Sequence, residues 1–417
     1  MSTNKLPLKW FLLGRDPLLS AGEIVSCLRR MRIPYEKPTL QSSFFFVSAD
    51  LPPEIINRLG GTIKIAEEIG VNLSEDDLLA AIRVKLSAET KKIIFGISFY
   101  GDDHTQDVER WGKELKKNLK AEGRQVRYVF NRESTLSSVT VEKNSLIDKG
   151  FEFIVRQPAK KSEGGYSLAR TVAVQPFESF SARDYGRPSR DSESGMLPPK
   201  LAMMLINLSE TPLDAALLDP FCGSGTIVSE ALLLGYTQIF GTDISERAIA
   251  DSRQNIAWLM KKEGRSDFPS ATAEGVGGGL SCLPVEKLSA KFAEGSISGI
   301  ATEPYMGKPK TGQETPEELA REAGELAKLY LEALTQFKKI LRPGGPASPA
   351  GGRVVFVIPR FTRRSGLPVI ISDKIVPQLE KMGFTIDPIL PEFSRSPFAL
   401  YQRPGQFVAR EIWRFRL

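Results

Sequence analysis

Histidine is nearly missing from this chain of 417 residues: there is one, His104. A Ser-His-Asp hydrolase, a histidine-based ribonuclease and a multi-histidine metal site are therefore excluded, and no metal is expected. His104 lies between Asp103 and Thr105 in a polar stretch and reads as a solvated side chain. Cysteine is also scarce. Cys27, Cys222 and Cys282 lie far apart, which fits a reducing, cytoplasmic setting and not a disulfide framework. No apolar run approaches the roughly 20 residues that cross a bilayer, so no membrane partner is expected. The short apolar patch Trp10 to Leu13 is followed by no cleavage signal, and no secretory leader is expected.

What is present is an ordinary globular composition, 41% hydrophobic and 25% charged, long enough for two or three domains. The net charge of +6 is unevenly spread. Residues 1–170 carry 27 basic and 22 acidic side chains, and the remainder 29 and 28. Between Arg110 and Arg132 there are eight basic residues against two glutamates. Lys113, Lys116, Lys117 and Lys120 recur at helical spacing and share one face. Such a helix, with Trp111 beside it, suits a phosphate backbone; a merely solvated face is the alternative.

Alternating strand and helix patterns divide the chain. A first stretch, 1–60, includes the strand-like "SSFFFVSAD". A second, 61–170, holds the strand "KKIIFGISFYG", the basic helix, the strand "RQVRYVF", and "STLSSVTVEKNSLIDKGFEFIV", which reads as strand, helix and strand. A polar linker, rich in Pro and Ser, is expected over 171–194. The last block, 195–417, opens with a helix at "LPPKLAMMLINLS".

The last block is the most legible. "AALLDPFCGSGTIVSEALLLG" is an apolar strand, a glycine turn and a helix, and "YTQIFGTDIS" is a second strand ending in Asp243. A glycine loop after one strand and an acid after the next is the nucleoside-binding pattern of a doubly wound sheet. The loop lacks a lysine for a triphosphate. Because Asp219 opens it, it suits a ligand carrying a positive amine, such as S-adenosylmethionine. Further on, residues 301–307 read ATEPYMG, and "IPRFTRR" follows the strand "RVVFV". A loop at that sheet edge could direct Arg360, Arg363 and Arg364 toward substrate phosphates; a solvated loop is the alternative.

These motifs, taken in order, resemble the THUMP-domain RNA methyltransferases, and more narrowly the tRNA (guanine-10-N2)-methyltransferase family. "FLLGRDPLLSAGEI" resembles that family's ferredoxin-like start, "LSSVTVEKNSLIDKGFEF" its THUMP core, and "DYGRPSRDSESGMLPPKLAMMLINL" its linker and the helix that follows. "LYQRPGQFVAREIWRF" resembles the closing hairpin of the sheet. The resemblance implies an α/β chain: an α+β ferredoxin-like plus THUMP RNA-binding region, then a Rossmann-like class I methyltransferase domain with a seven-stranded, mostly parallel sheet. It implies S-adenosylmethionine as cofactor and tRNA as partner, and it leaves an accessory subunit undefined. Asp219, Phe221, Gly223 and Gly225 would surround the methionine part, Asp243 would hold the ribose hydroxyls, and Ile244 would pack on the adenine. The family's acid for the adenine amine falls on a glycine within "AEGVGGGLSCLP".

The family's DPPY motif presents an acceptor to an exocyclic amine and an aromatic platform to the base. Here Thr302 and Glu303 replace Asp and the first Pro, while Pro304 and Tyr305 remain. Thr302 offers a neutral acceptor, and Glu303 a charged one a residue later. Strand alternation would send Glu303 to the opposite face unless the chain turns. Two rival readings stand: a DNA amino-methyltransferase, which would carry a target-recognition domain instead of the THUMP-like half, and a non-catalytic RNA-binding protein that keeps the fold.

Overall fold

The computed structural model describes residues 6–102, 104–157, 164–190, 196–264, 278–344, 351–364 and 366–417. The chain forms two compact units. One comprises Met1–Pro17, Ile33–Asn57 and Thr62–Phe177; the other comprises Leu18–Arg32, Arg58–Gly61 and Glu178–Leu417.

The first unit is built on eight strands: β1 (Leu8–Leu13), β2 (Glu36–Gln41), β3 (Phe44–Ser48), β4 (Thr62–Leu73), β5 (Ile93–Tyr100), β6 (Val126–Val129), β7 (Phe151–Arg156) and β8 (Tyr166–Val174). They form one sheet in the order β2-β3-β1-β4-β8-β7-β5-β6. The break expected after residue 60 is not a break in this sheet, because the twelve-residue β4 pairs with β1 on one edge and β8 on the other. The helices Glu75–Ser87 and Thr105–Ala121 bury Leu78, Ile82, Leu86, Val108, Trp111, Leu115 and Leu119 against Phe95, Phe99 and Phe153. Trp111 belongs to that core, spaced four residues from Leu115, and is not a neighbour of the lysine face. His104 is also less exposed than expected: Nδ1 lies 2.8 Å from Asp107 and its ring packs on Phe99. The segment before β7 contains no leading strand. Ser137 caps the short helix Ser138–Lys143 through the Thr140 N–H, and this helix takes up the β-branched residues that looked like a strand.

The second unit carries β9 (Leu217–Asp219), β10 (Ile239–Asp243), β11 (Gly278–Cys282), β12 (Gly299–Thr302), β13 (Arg353–Phe361), β14 (Val369–Ile370), β15 (Thr385–Ile386), β16 (Ala399–Tyr401) and β17 (Val408–Arg416). Seven follow the path β11-β10-β9-β12-β13-β17-β15, with β14 on β13 and β16 on β17. Pairings from β11 to β13 are parallel, and β17 runs antiparallel to its neighbours. The 25-residue helix Pro316–Ile340 begins with a capping box between Thr315 and Glu318 and buries Leu319, Ala323, Leu326, Tyr330, Leu334 and Phe337 on this sheet.

The stretch expected as a linker is ordered where it is described. β8 runs through Val174, and Phe177–Tyr185 is a helix whose Phe180 and Arg183 are buried. Arg183 forks onto Glu230 at 2.7 and 3.1 Å. Both ions are out of water, so breaking the pair leaves an uncompensated buried charge. Arg183→Ala should cost about 3–5 kcal/mol, and Arg183→Lys less. Chemical denaturation followed by tryptophan fluorescence checks this; an unchanged midpoint for Arg183→Ala would make the pair dispensable.

Candidate functional site

The strand order reverses between β9 and β12. The chain leaves β9 toward β10 and β11, then returns to start β12 on β9's other side. Such a switch point opens a crevice at the carboxyl ends of the strands, and a cavity of about 580 Å³ lies there.

The glycine loop forms its floor. Asp219 ends β9, residues 220–225 turn, and the helix Thr226–Leu234 begins. The turn is tied to β10 by the Cys222 N–H, which donates to the Thr242 carbonyl at 2.9 Å. Gly223 (φ +50°) has no atom near the place a Cβ would occupy, so its backbone faces open space. Gly225 (φ +82°) lies behind the wall, where a Cβ would stand 2.8 Å from the Ser252 hydroxyl. Gly225 therefore serves the close approach of loop and helix and does not line the cavity.

Asp243 ends β10 on the cavity wall. Its Oδ2 accepts from the Gly223 N–H at 3.0 Å and its Oδ1 from the Ser245 N–H at 2.9 Å. A carboxylate has about four acceptor positions, so each oxygen retains one. Ser245, not Asp243, caps the next helix, through the Ala248 N–H. Ile244 is 74% exposed and Tyr305 49%, two large apolar side chains left open on the cavity wall.

Asp219 is buried behind the loop, and burial raises its carboxyl to about 7. The Thr302 hydroxyl and the Phe221 N–H pull it down by donating to Oδ1 at 2.7 and 3.3 Å; Asp243 and Glu303 push it up. Thr302 is fully buried, turned toward β9 and absent from the cavity wall. Glu303, Pro304 and Tyr305 do line it. Arg410 of β17 grips the Glu303 carboxylate, with Nε on Oε2 and Nη2 3.3 Å from Oε1. The Tyr330 hydroxyl donates to the Tyr305 carbonyl at 2.6 Å and so holds the backbone of that turn.

Of the ten residues expected around cofactor and base, eight therefore meet at one cavity: Asp219, Phe221, Gly223, Asp243, Ile244, Glu303, Pro304 and Tyr305. Gly225 and Thr302 stand behind them. The sequence reading missed Arg410, which lies 107 residues from Glu303, and Glu286, which also lines the cavity. Glu286 follows β11, whose sequence GGLSC has too little alternation to be recognised as a strand. Part of the region expected to hold the adenine contact, 273–277, lies outside the described residues.

The remaining candidates are scattered. Lys117 and Lys120 are exposed, Lys116 is half-buried, and Lys113 pairs with Glu109 at 2.6 Å. Arg360 is not in a loop: β13 continues to Phe361, so its side chain pairs with buried Glu411 at 2.6 Å and lies over Phe398. Arg363 is half-buried and Arg364 exposed beside Phe407. Among the described residues, no group of His, Cys, Asp or Glu is placed to hold a metal, and no helix is long and apolar enough to cross a membrane.

Among the described residues, the cavity wall carries four carboxylates, Asp219, Asp243, Glu286 and Glu303, and no Lys, Arg or His. That favours a cationic ligand. The family described as UPF0020, RMKL-like methyltransferase domain, matches residues 187–262, which include the glycine loop and Asp243. A tRNA (guanine(10)-N2)-dimethyltransferase of Methanothermobacter thermautotrophicus is 39% identical over 92 residues, 22% of this chain and 26% of that one. The chain thus spans about a quarter of that relative's length. A probable tRNA (guanine(10)-N2)-dimethyltransferase of Methanothermococcus thermolithotrophicus is 27% identical over 129 residues, 31% of this chain and 74% of that one. In fold, the chain is similar to TrmN from Thermus thermophilus, with TM-score 0.52, 17% identity, and 98% and 99% of the two chains covered. The second unit thus has the α/β architecture of class I methyltransferases.

The site's cofactor is S-adenosylmethionine. Its residues fit that group: a glycine loop open to close approach, Asp243 with acceptor capacity for ribose hydroxyls, exposed Ile244 for a flat ring, and an acidic wall for sulfonium and ammonium. Asp243→Ala should weaken binding by about 1.5–3 kcal/mol, the scale of hydrogen bonds to a charged group. Asp219 holds its proton below about pH 7 and is ionised above it. Affinity for the permanently cationic sulfonium should therefore rise from about pH 6 to about pH 8, and Asp219→Asn should abolish the rise. Calorimetry across that range tests both; a pH-independent affinity in the wild type removes Asp219 from the electrostatics of binding.

Proposed function

We propose that this chain is an S-adenosylmethionine-dependent RNA methyltransferase that modifies tRNA, at guanine N2. The carrying observation is the conjunction, in one acidic cavity, of the glycine loop and Asp243 with the half-exposed Tyr305 ring beside a carboxylate. The names of the two archaeal relatives supply the tRNA and guanine parts of the reading. The first 170 residues are its RNA-binding region, divided at residue 60 in the reading of the resemblance, and the lysine face of Thr105–Ala121 meets phosphate.

On this reading each residue has a task. S-adenosylmethionine supplies an electrophilic methyl group. A flipped base stacks on Tyr305, an aromatic platform worth about 1–3 kcal/mol. Glu303 accepts from the exocyclic amine and turns its nitrogen toward the sulfonium. The surplus proton of the methylated amine would pass to the Glu303 carboxylate and on to water. Thr302 supports Glu303 in this role: it is buried, absent from the cavity wall, and its hydroxyl donates to Asp219.

A non-catalytic RNA-binding role is the second reading, favoured by one observation: both replacement residues have partners within the protein, Thr302 with Asp219 and Glu303 with Arg410. Methyl transfer to total tRNA, followed by mass spectrometry of the nucleosides, separates the two. The enzyme reading expects N2-methylated guanosine, slowed by Glu303→Gln with cofactor affinity kept, and little slowed by Thr302→Val. Wild type that transfers no methyl to any tRNA leaves the binding role. In either case, replacing Lys113, Lys116, Lys117 and Lys120 together should flatten the salt dependence of tRNA binding. An unchanged slope would make that face solvated only.

A further inference from the structure

The geometry points to Glu303 as the group that selects the target base, with Arg410 as the positioning residue that aims it. This rests on the reading of the site as an RNA methyltransferase centre, and deepens it from a transferable amine to the edge that carries the amine.

An ionised carboxylate accepts hydrogen bonds and donates none. Glu303 presents one on the wall beside Tyr305, so a base stacked on that ring meets an acceptor. Nearby Pro304, Met306 and Leu329 contribute no side-chain donor to the wall. The three amine-bearing bases differ at this point. Adenine carries a lone-pair ring nitrogen, N1, beside its amine, and cytosine carries N3 beside its own. Both would set acceptor against acceptor at the Glu303 carboxylate. Guanine carries N1–H beside N2–H₂, two donors on one edge. A site that leaves a buried polar group unpaired for the wrong ligand discriminates strongly, by about 10⁴ or more in favourable cases.

Selection of this kind needs a carboxylate with a fixed direction, and Arg410 supplies it. It projects from the interior of a nine-residue strand, in register with Pro359 of β13, and engages both oxygens of Glu303. The pair is mostly buried, with 15% and 10% of the two side chains exposed. Arg410 takes one acceptor position on each oxygen and leaves the others for the base. A proline in place of Glu303, as in the DPPY motif, would have no such contact.

The test uses the full chain, unmodified tRNA transcripts and mass spectrometry of the product nucleosides, with thermal melting as a check on folding. Methylation confined to the guanine amine is expected. Glu303→Gln, whose amide donates as well as accepts, should slow it roughly tenfold or more at saturating tRNA, lower the guanine-over-adenine preference, and leave tRNA and cofactor affinities within about twofold. Arg410→Lys should retain more rate than Arg410→Met, and Arg410→Met combined with Glu303→Gln should be no slower than Glu303→Gln alone. Methyl groups found on adenine N6 or cytosine N4 would overturn edge selection and leave the methyltransferase reading standing. An additive double variant would make Arg410 structural only. No transfer to any transcript would overturn the reading and this inference together. If Arg410→Met melts below the assay temperature, the ranking of Arg410→Lys against wild type decides the positioning role: equal rate and preference overturn it.

Discussion

The hydrogen bond from Thr302 to Asp219 is the interaction around which the site is arranged. It joins the carboxyl ends of β12 and β9, the two strands flanking the switch point, at 2.7 Å and away from water. With those ends tied together, the glycine loop starting at Pro220 and the turn starting at Glu303 leave the sheet side by side. Both loops line the cavity. Either partner alone would be a buried polar group without its complement, which costs more than the bond itself contributes.

The electrostatics follow from that arrangement. Four carboxylates on one cavity wall repel each other, and Asp219 also loses its hydration. The structure offsets this locally. Asp243 receives two backbone N–H groups, Asp219 one hydroxyl and one N–H, and Glu303 the Arg410 guanidinium. Asp219 has only neutral donors and the deepest burial, and its carboxyl is the one raised to about 7. A ligand bearing a fixed positive charge relieves the remaining repulsion, so the acidic wall favours binding of a sulfonium.

The second unit was legible in outline because its signals are local. The glycine loop, the acid after β10 and the closing hairpin each span a few residues, and apolar strands buried on both faces stand out in a sequence. The first unit was less legible. Its sheet is completed by β4, whose pairing with both β1 and β8 is a long-range choice that periodicity does not carry. The short helix Ser138–Lys143 contains three β-branched residues among six, and a serine cap outweighed their strand preference. Trp111 is adjacent to the lysines in sequence, but half a helical turn separates core from solvent. In the site, Arg410 and Glu286 were missed for related reasons. One acts across elements far apart in the chain, and the other follows a strand, GGLSC, with little pattern to read.

The departure from DPPY is coherent with the packing that surrounds it. Alternation holds through the end of β12: Ala301 and Thr302 are buried, and Thr302 turns inward to Asp219 while Glu303 turns outward to the cavity wall. An aspartate at 302 in this conformation would place a second carboxyl against Asp219 in a dry site, where two such groups cannot both ionise. A threonine there donates instead of competing. On the proposed reading, the carboxylate offered to the amine is that of the next residue, which lines the cavity and is balanced by a strand-mounted arginine. Thr302 and Glu303 are thus linked substitutions: the first satisfies the buried Asp219, and the second returns a carboxylate to the cavity.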